Sequence, residues 1–144
     1  MNIITVPDPR LRKASTKVNH VTEETHQIIK QMVDASLEWE KEHPHELSAA
    51  MAAPQLGINK RIIIIRDDLD DKSNASFTAL IDPEVIKASG KLVSDYEGCL
   101  SVPFIYGLVP RYSKLRVKAK LIDGTEVRIK AEDNLARTLA HEID

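Results

Sequence analysis

The sequence predicts an α+β fold, in which small antiparallel strands or sheets pack around a C-terminal helix and an N-terminal helix covers one side. Three observations predict it: apolar residues at helical spacing between about residues 22 and 42, β-branched or alternating runs between about residues 61 and 130, and a second helical stripe at the end of the chain. With 144 residues, 42% of them hydrophobic, we expect a single domain spanning residues 1–144.

Composition excludes several classes of protein. A net charge of -2 gives no broad electrostatic case for nucleic acid or an anionic membrane. No apolar run approaches the roughly 18 residues of a membrane span, and the first residues lack the pattern of a secretory signal. The single cysteine cannot form an internal disulfide, which favours a thiol-reducing, cytoplasmic location.

The N-terminal part predicts an irregular arm followed by a helix. Two prolines in the segment 6–12 disfavour helix there. Thr22 is a candidate N-cap, with Glu23 and Glu24 in the first turn, and the helix should run to about Glu42 and end before Pro44. Its apolar stripe includes Ile28, Ile29, Met32 and Val33, while His20, His26, His43 and His45 are expected to be solvated residues rather than ligands.

The middle of the chain predicts strands. Residues 61–66 form a short β-branched run typical of a buried strand, and residues 67–76 read as a polar loop. A second strand is expected over residues 77–86, interrupted at Asp82-Pro83. Residues 115–122 and 126–130 alternate apolar with polar around Asp123-Gly124, which predicts a hairpin with one wet face.

The C-terminal segment predicts a helix capped by Asp133 or Asn134. Leu135, Leu139 and Ile143 form its apolar stripe, and His141-Glu142 lies in its last turn. Neighbouring residues on a helix point about 100° apart, so the histidine can bind a metal ion while the glutamate reaches the water beside it. Glu142 is therefore a better candidate for a general base than for a ligand.

Three segments carry residues with chemical potential. They are the small-residue run 48–57, which contains Gln55, the segment 97–101 around Cys99, and His141-Glu142. Each alone is more often structural: tight packing, a small buried thiol, or a chance pair. Together they contain a thiolate, an imidazole, a carboxylate and an amide donor, the groups of a metal-dependent hydrolytic site. An unrelated zinc peptidase is less favoured, because such sites ordinarily lack a cysteine ligand.

The same segments resemble the peptide deformylase family. Its motifs G-φ-G-φ-A-A-P-Q (φ, apolar), E-G-C-φ-S and H-E-φ-D-H correspond in order to residues 48–55, 97–101 and 141–144. The likeness extends to the arm at residues 7–12 and to Leu-Val-Pro-Arg at residues 108–111.

The resemblance implies an enzyme that removes the formyl group from the N-terminal formyl-methionine of nascent chains. It also implies a bound Fe²⁺ ion, replaceable by Zn²⁺, Ni²⁺ or Co²⁺. The ligands would be Cys99, His141 and the second histidine of the H-E-φ-D-H motif. Glu142 would be the general acid and base, with Gln55 and the Leu100 N–H stabilising the oxyanion. The peptide would pair as a strand with Ala49, Ala50 and Gly98. Ala49 and Thr138 would line the pocket for the methionine side chain. Glu97 would pair with Arg111 and so hold the cysteine loop in place.

The chain departs from the family pattern in two places. Ser48 and Ala50 stand where the first motif has glycine. The sequence ends at Asp144, one residue before the second histidine of the H-E-φ-D-H motif. A truncated domain with two ligands is expected to bind metal weakly and to be nearly inactive. Two hypotheses stay open: an iron-dependent deformylase, and a degenerate, inactive relative that binds peptide N-termini or the ribosome.

Overall fold

A computed structural model describes residues 15–44, 48–67, 76–99 and 102–143, with side chains described except at 96–99 and 102–108. The predictions for the arm at 7–12, for the polar loop at 68–75, and for His45, Leu100, Ser101 and Asp144 lie outside these residues. The elements are α1 (Glu23–Glu42), β1 (Ala50–Ala52), a 3₁₀ helix (Ala53–Leu56), β2 (Ile62–Arg66), β3 (Phe77–Cys99), β4 (Val102–Lys120), β5 (Glu126–Glu132) and α2 (Asp133–Ile143).

The five strands form one antiparallel sheet in the order β1-β2-β3-β4-β5, and a helix packs on each face. Alternation along the buried strand β2 divides the core, because successive side chains point to opposite faces. Ile62 and Ile64 pack with Met32 of α1, whereas Ile63 and Ile65 pack with Leu139 of α2. The predicted α+β fold is confirmed.

The first helix has the predicted bounds. Thr22 is its N-cap residue, and its N–H donates to Thr25 Oγ1 at 3.2 Å. At the other end His43 is half-buried: its ring stacks on Trp39 at 4.2 Å between centroids, and Nδ1 lies 2.8 Å from the Trp39 carbonyl oxygen. His43 therefore contacts the last turn of the helix and is not the solvated residue that was expected.

Strand β3 is much longer than predicted. The strand expected to end at Ile86 continues to Cys99, and β4, expected from Leu115, begins at Val102. The two pair almost throughout, with a bulge where the Asp82-Pro83 interruption was predicted. Asp82 has φ 51°, and its carboxylate accepts the N–H groups of Val18 and Asn19 at 2.7 and 2.9 Å. Much of β3 is exposed, so its extension depends on the ladder to β4 rather than on an apolar pattern.

The hairpin from β4 to β5 is confirmed around Asp123-Gly124. Gly124 has φ 86°, and the Asp123 carboxylate accepts the Thr125 N–H at 2.9 Å. β5 leads directly into α2, whose Ala136 and Leu139 are fully buried. Neither α1 nor α2, the two α-helices of the described residues, has the length and apolar composition of a transmembrane helix.

Candidate active site

The first motif spans β1, which is an edge strand of the sheet, and most of the 3₁₀ helix that follows it. The Ala49 carbonyl accepts the Arg66 N–H at 2.8 Å, and Ala50 is opposite Ile65 in the register. In an antiparallel pair, hydrogen-bonded and non-hydrogen-bonded positions alternate, so Ala50 directs its own N–H and C=O away from β2. The expectation that a peptide also pairs with Ala49 is wrong for its carbonyl, because that group is already bonded to β2. An edge strand with outward backbone groups is the template for adding an extended peptide.

The substituted glycine positions have ordinary backbone geometry. Among the described residues, the non-glycine residues with positive φ are Asn19, Asp82 and Asp133, so neither Ser48 nor Ala50 needs a left-handed conformation. Both are buried, and Ala50 packs in the core cluster that contains Leu139. The substitutions therefore carry no backbone strain.

Gln55 lies in the 3₁₀ helix that follows β1. It is 7% exposed, and its Oε1 accepts the Ala52 N–H at 2.9 Å. The side-chain carbonyl oxygen is therefore bonded to the main chain of β1, and Nε2 is the donor end of the amide. An amide held in this way can direct an N–H toward a developing oxyanion.

The last turn of α2 carries His141 and Glu142, both half-buried. The helix contacts β1, β3, β4 and β5, and Leu139 shares a core cluster with Ala50. Thr138 is half-buried, and its hydroxyl donates to the Asn134 carbonyl at 2.8 Å. The structure thus packs the histidine-glutamate helix directly against the strand of the first motif.

The second motif is placed by its main chain. Glu97, Gly98 and Cys99 are the last residues of β3, and Glu97 is opposite Gly107. Arg111 is opposite Val93, four positions further along β4 than Gly107, or about 13 Å. The predicted pairing of Glu97 with Arg111 and the Leu100 contact stay predictions.

One residue that links these segments was missed in the sequence. Arg137 of α2 donates from Nη1 to the Val109 carbonyl at 2.9 Å and from Nη2 to the Val93 carbonyl. It therefore fixes the helix of His141 to both strands of the β3–β4 ladder. No sequence signal distinguishes this arginine from a solvated one.

The chemistry of the candidate donors fits a transition-metal ion. A thiolate and an imidazole are ligands that Fe²⁺ and Zn²⁺ accept, and the adjacent carboxylate suits proton transfer. Among the side chains that the structure describes, no three His, Cys, Asp or Glu residues cluster as a metal site. The Cys99 side chain is outside that set, so the ligand assignment rests on the chemistry of Cys99 and His141 and on the elements that carry them.

Comparison with protein families gives one match over the whole chain, to polypeptide deformylase at residues 1–144. A peptide deformylase from Thermomicrobium roseum is 40% identical over 145 aligned residues, covering 99% of this chain and 78% of that protein. One from Halothermothrix orenii is 40% identical over 144 residues, covering 100% of this chain and 86% of the relative.

Solved structures agree with these sequence relatives. The peptide deformylase of Ehrlichia chaffeensis superposes with a TM-score of 0.85 at 31% identity, covering 100% of this chain and 81% of that one. The peptide deformylase of Synechococcus elongatus, determined in complex with actinonin, gives a TM-score of 0.85 at 32% identity, covering 99% of this chain and 71% of that one. The sheet and both helices are therefore those of a known enzyme fold.

Proposed function

The chain belongs to the polypeptide deformylase family and is a deformylase enzyme, and from this premise we propose that it hydrolyses the N-terminal formyl-methionine amide of newly made proteins in a metal-dependent reaction. The observation that carries the proposal is the packing of the His141-Glu142 helix against the edge strand of the first motif. The substrates are nascent chains, and the location is the cytoplasm.

Different residues bind the peptide and the metal ion. An extended peptide pairs with the outward N–H and C=O of Ala50 and with Gly98, and the methionine side chain enters an apolar pocket lined by Ala49 and Thr138. Cys99 and His141 would hold the metal ion, which would be Fe²⁺, with Zn²⁺, Ni²⁺ or Co²⁺ as replacements. When bound, the ion supplies Lewis acidity and makes a water molecule easier to deprotonate at neutral pH.

Glu142 moves the protons of the reaction. Its carboxylate takes one proton from water as the water oxygen bonds to the formyl carbon. Gln55 Nε2 and the Leu100 N–H donate to the oxygen that becomes negative in the tetrahedral intermediate. When the C–N bond breaks, Glu142 returns the proton to the departing amine, so the products are formate and a peptide with a free N-terminus.

The direct test is formate release from formyl-Met-Ala-Ser by Fe²⁺-loaded protein kept free of oxygen. The assay is run on the 144-residue chain and on the same chain extended past Asp144 by the second histidine of the H-E-φ-D-H motif and further helical residues. We expect turnover by the extended chain and at least a 100-fold loss in Glu142→Ala. Equal rates in the extended chain and its Glu142→Ala variant contradict the proposal and favour the inactive, peptide-binding alternative.

A further inference from the structure

A buried ion pair lies directly beneath the start of the first motif. Arg66 closes β2 and Glu40 lies in the last turn of α1, and they are only 1% and 7% exposed. Arg66 Nη2 contacts Glu40 Oε1, and the guanidinium stands over the Phe77 ring at 4.9 Å from its centroid. The pair therefore connects the helix on one face of the sheet to the end of β2.

Both charged groups hold the main chain that enters β1. Glu40 Oε1 accepts the Ser48 N–H at 2.9 Å, and Arg66 Nε donates to the Ser48 carbonyl at 3.2 Å. The Arg66 main-chain N–H donates to the next carbonyl, that of Ala49, at 2.8 Å. Two buried charges thus bind both main-chain polar groups of Ser48, two positions before Ala50.

Stability alone is a weak explanation for this arrangement. A carboxylate in the last turn of a helix opposes the helix dipole, and burying two ions costs desolvation that their attraction only partly offsets. Apolar residues of similar volume often replace such pairs without loss. The observed bonds do what apolar residues cannot: they specify where the Ser48 peptide lies and in which direction its N–H and C=O point.

We propose that Glu40 and Arg66 are positioning residues that fix the backbone of Ser48 and Ala49 so that Ala50 presents its N–H and C=O to an extended peptide. This inference rests on the proposed function, in which β1 binds the substrate main chain. Loss of the contacts to Ser48 shifts β1 against β2 and weakens peptide binding. The proton-transfer group on α2 is left in place.

Arg66→Lys separates this role from the charge pair. Lysine keeps the positive charge opposite Glu40, but it lacks the planar fork that reaches both Glu40 and the Ser48 carbonyl. Binding of formyl-Met-Ala-Ser is measured by calorimetry in a Glu142→Ala background, where we expect turnover to be at least 100-fold slower. We expect a dissociation constant about tenfold higher in Arg66→Lys, and faster hydrogen exchange at the Ser48 amide.

Ile62→Val is the matched control, because Ile62 is equally buried and lies at the other end of β2, four positions or about 13 Å from Arg66. It should lower the melting temperature without changing peptide affinity. Equal affinities for the two variants overturn the inference. If peptide binds with the expected ratio but the parent chain and its extended form release no formate, the proposed function fails and the positioning role stands. Absence of peptide binding in every variant overturns both.

Discussion

At the scale of single residues, Gln55 has a structural contact in the fold and, in the proposed reaction, a chemical role. Its Oε1 is committed to the Ala52 N–H, and the residue is almost fully buried. The bond orients the amide, so the donor end has a fixed direction before substrate arrives. Preorganised donors of this kind stabilise a developing negative charge without reorganisation during the reaction.

Gln55→Glu is the informative substitution, because it keeps an oxygen for Ala52 and removes the donor. We expect kcat for formate release to fall by about 10²–10³-fold, with little change in melting temperature. Gln55→Ala should lose similar activity and also about 1 kcal/mol of stability, because the Ala52 N–H loses its partner. A Gln55→Glu enzyme within a few-fold of the parent kcat would show that the oxyanion is stabilised elsewhere.

At the scale of elements, the β4–β5 hairpin depends on local turn chemistry. The pKa of Asp123 is lowered from its ordinary value of 3.8, first by the hydrogen bond from the Thr125 N–H and then by that from the Thr125 hydroxyl. A lowered pKa in the folded state means that the unfolded chain binds the proton first as pH falls. The stabilising contribution is therefore present above pH 3.8 and is lost as pH falls through the lower folded value.

Asp123→Asn tests this hairpin. We expect the variant to be less stable than the parent chain at pH 7, and the difference to shrink as pH falls below 3.8, in urea unfolding followed by circular dichroism. Thr125→Ala keeps the main-chain donor and removes the hydroxyl, so it should show part of the same pH dependence. A stability difference that is constant from pH 7 to the acid end would contradict the assigned cause.

The elements also show which physical signals are present in the sequence. The period of α1, the apolar run of β2 and the Asp-Gly turn are local patterns, and the structure confirms each. The length of β3 was underestimated because its outer half is stabilised by pairing with β4, a non-local contact that leaves no apolar alternation. The Glu40–Arg66 pair joins residues 26 positions apart in sequence, and nothing in either neighbourhood marks it.

At the scale of the whole molecule, the fold brings distant segments to one place. α1 and α2 pack on opposite faces of one sheet, and the first and third motifs meet where α2 lies against β1. Arg137 attaches the same helix to β3 and β4, the strands adjoining the second motif. The three sequence motifs were enough to indicate the family. That they lie close together in space could not be predicted without the order of the strands in the sheet.

The proposed reaction requires Cys99, at the end of β3, and His141, at the end of α2, to bind one metal ion. The measurement is Zn²⁺ affinity, by competition with a chelator, for the chain extended past Asp144 and for its Cys99→Ser, His141→Ala and double variants. We predict that each single variant binds Zn²⁺ at least tenfold more weakly. The loss of binding free energy in the double variant should be smaller than the sum of the two single losses, because ligands of one ion are coupled. Unchanged affinity in Cys99→Ser, or losses that simply add, would contradict a shared site.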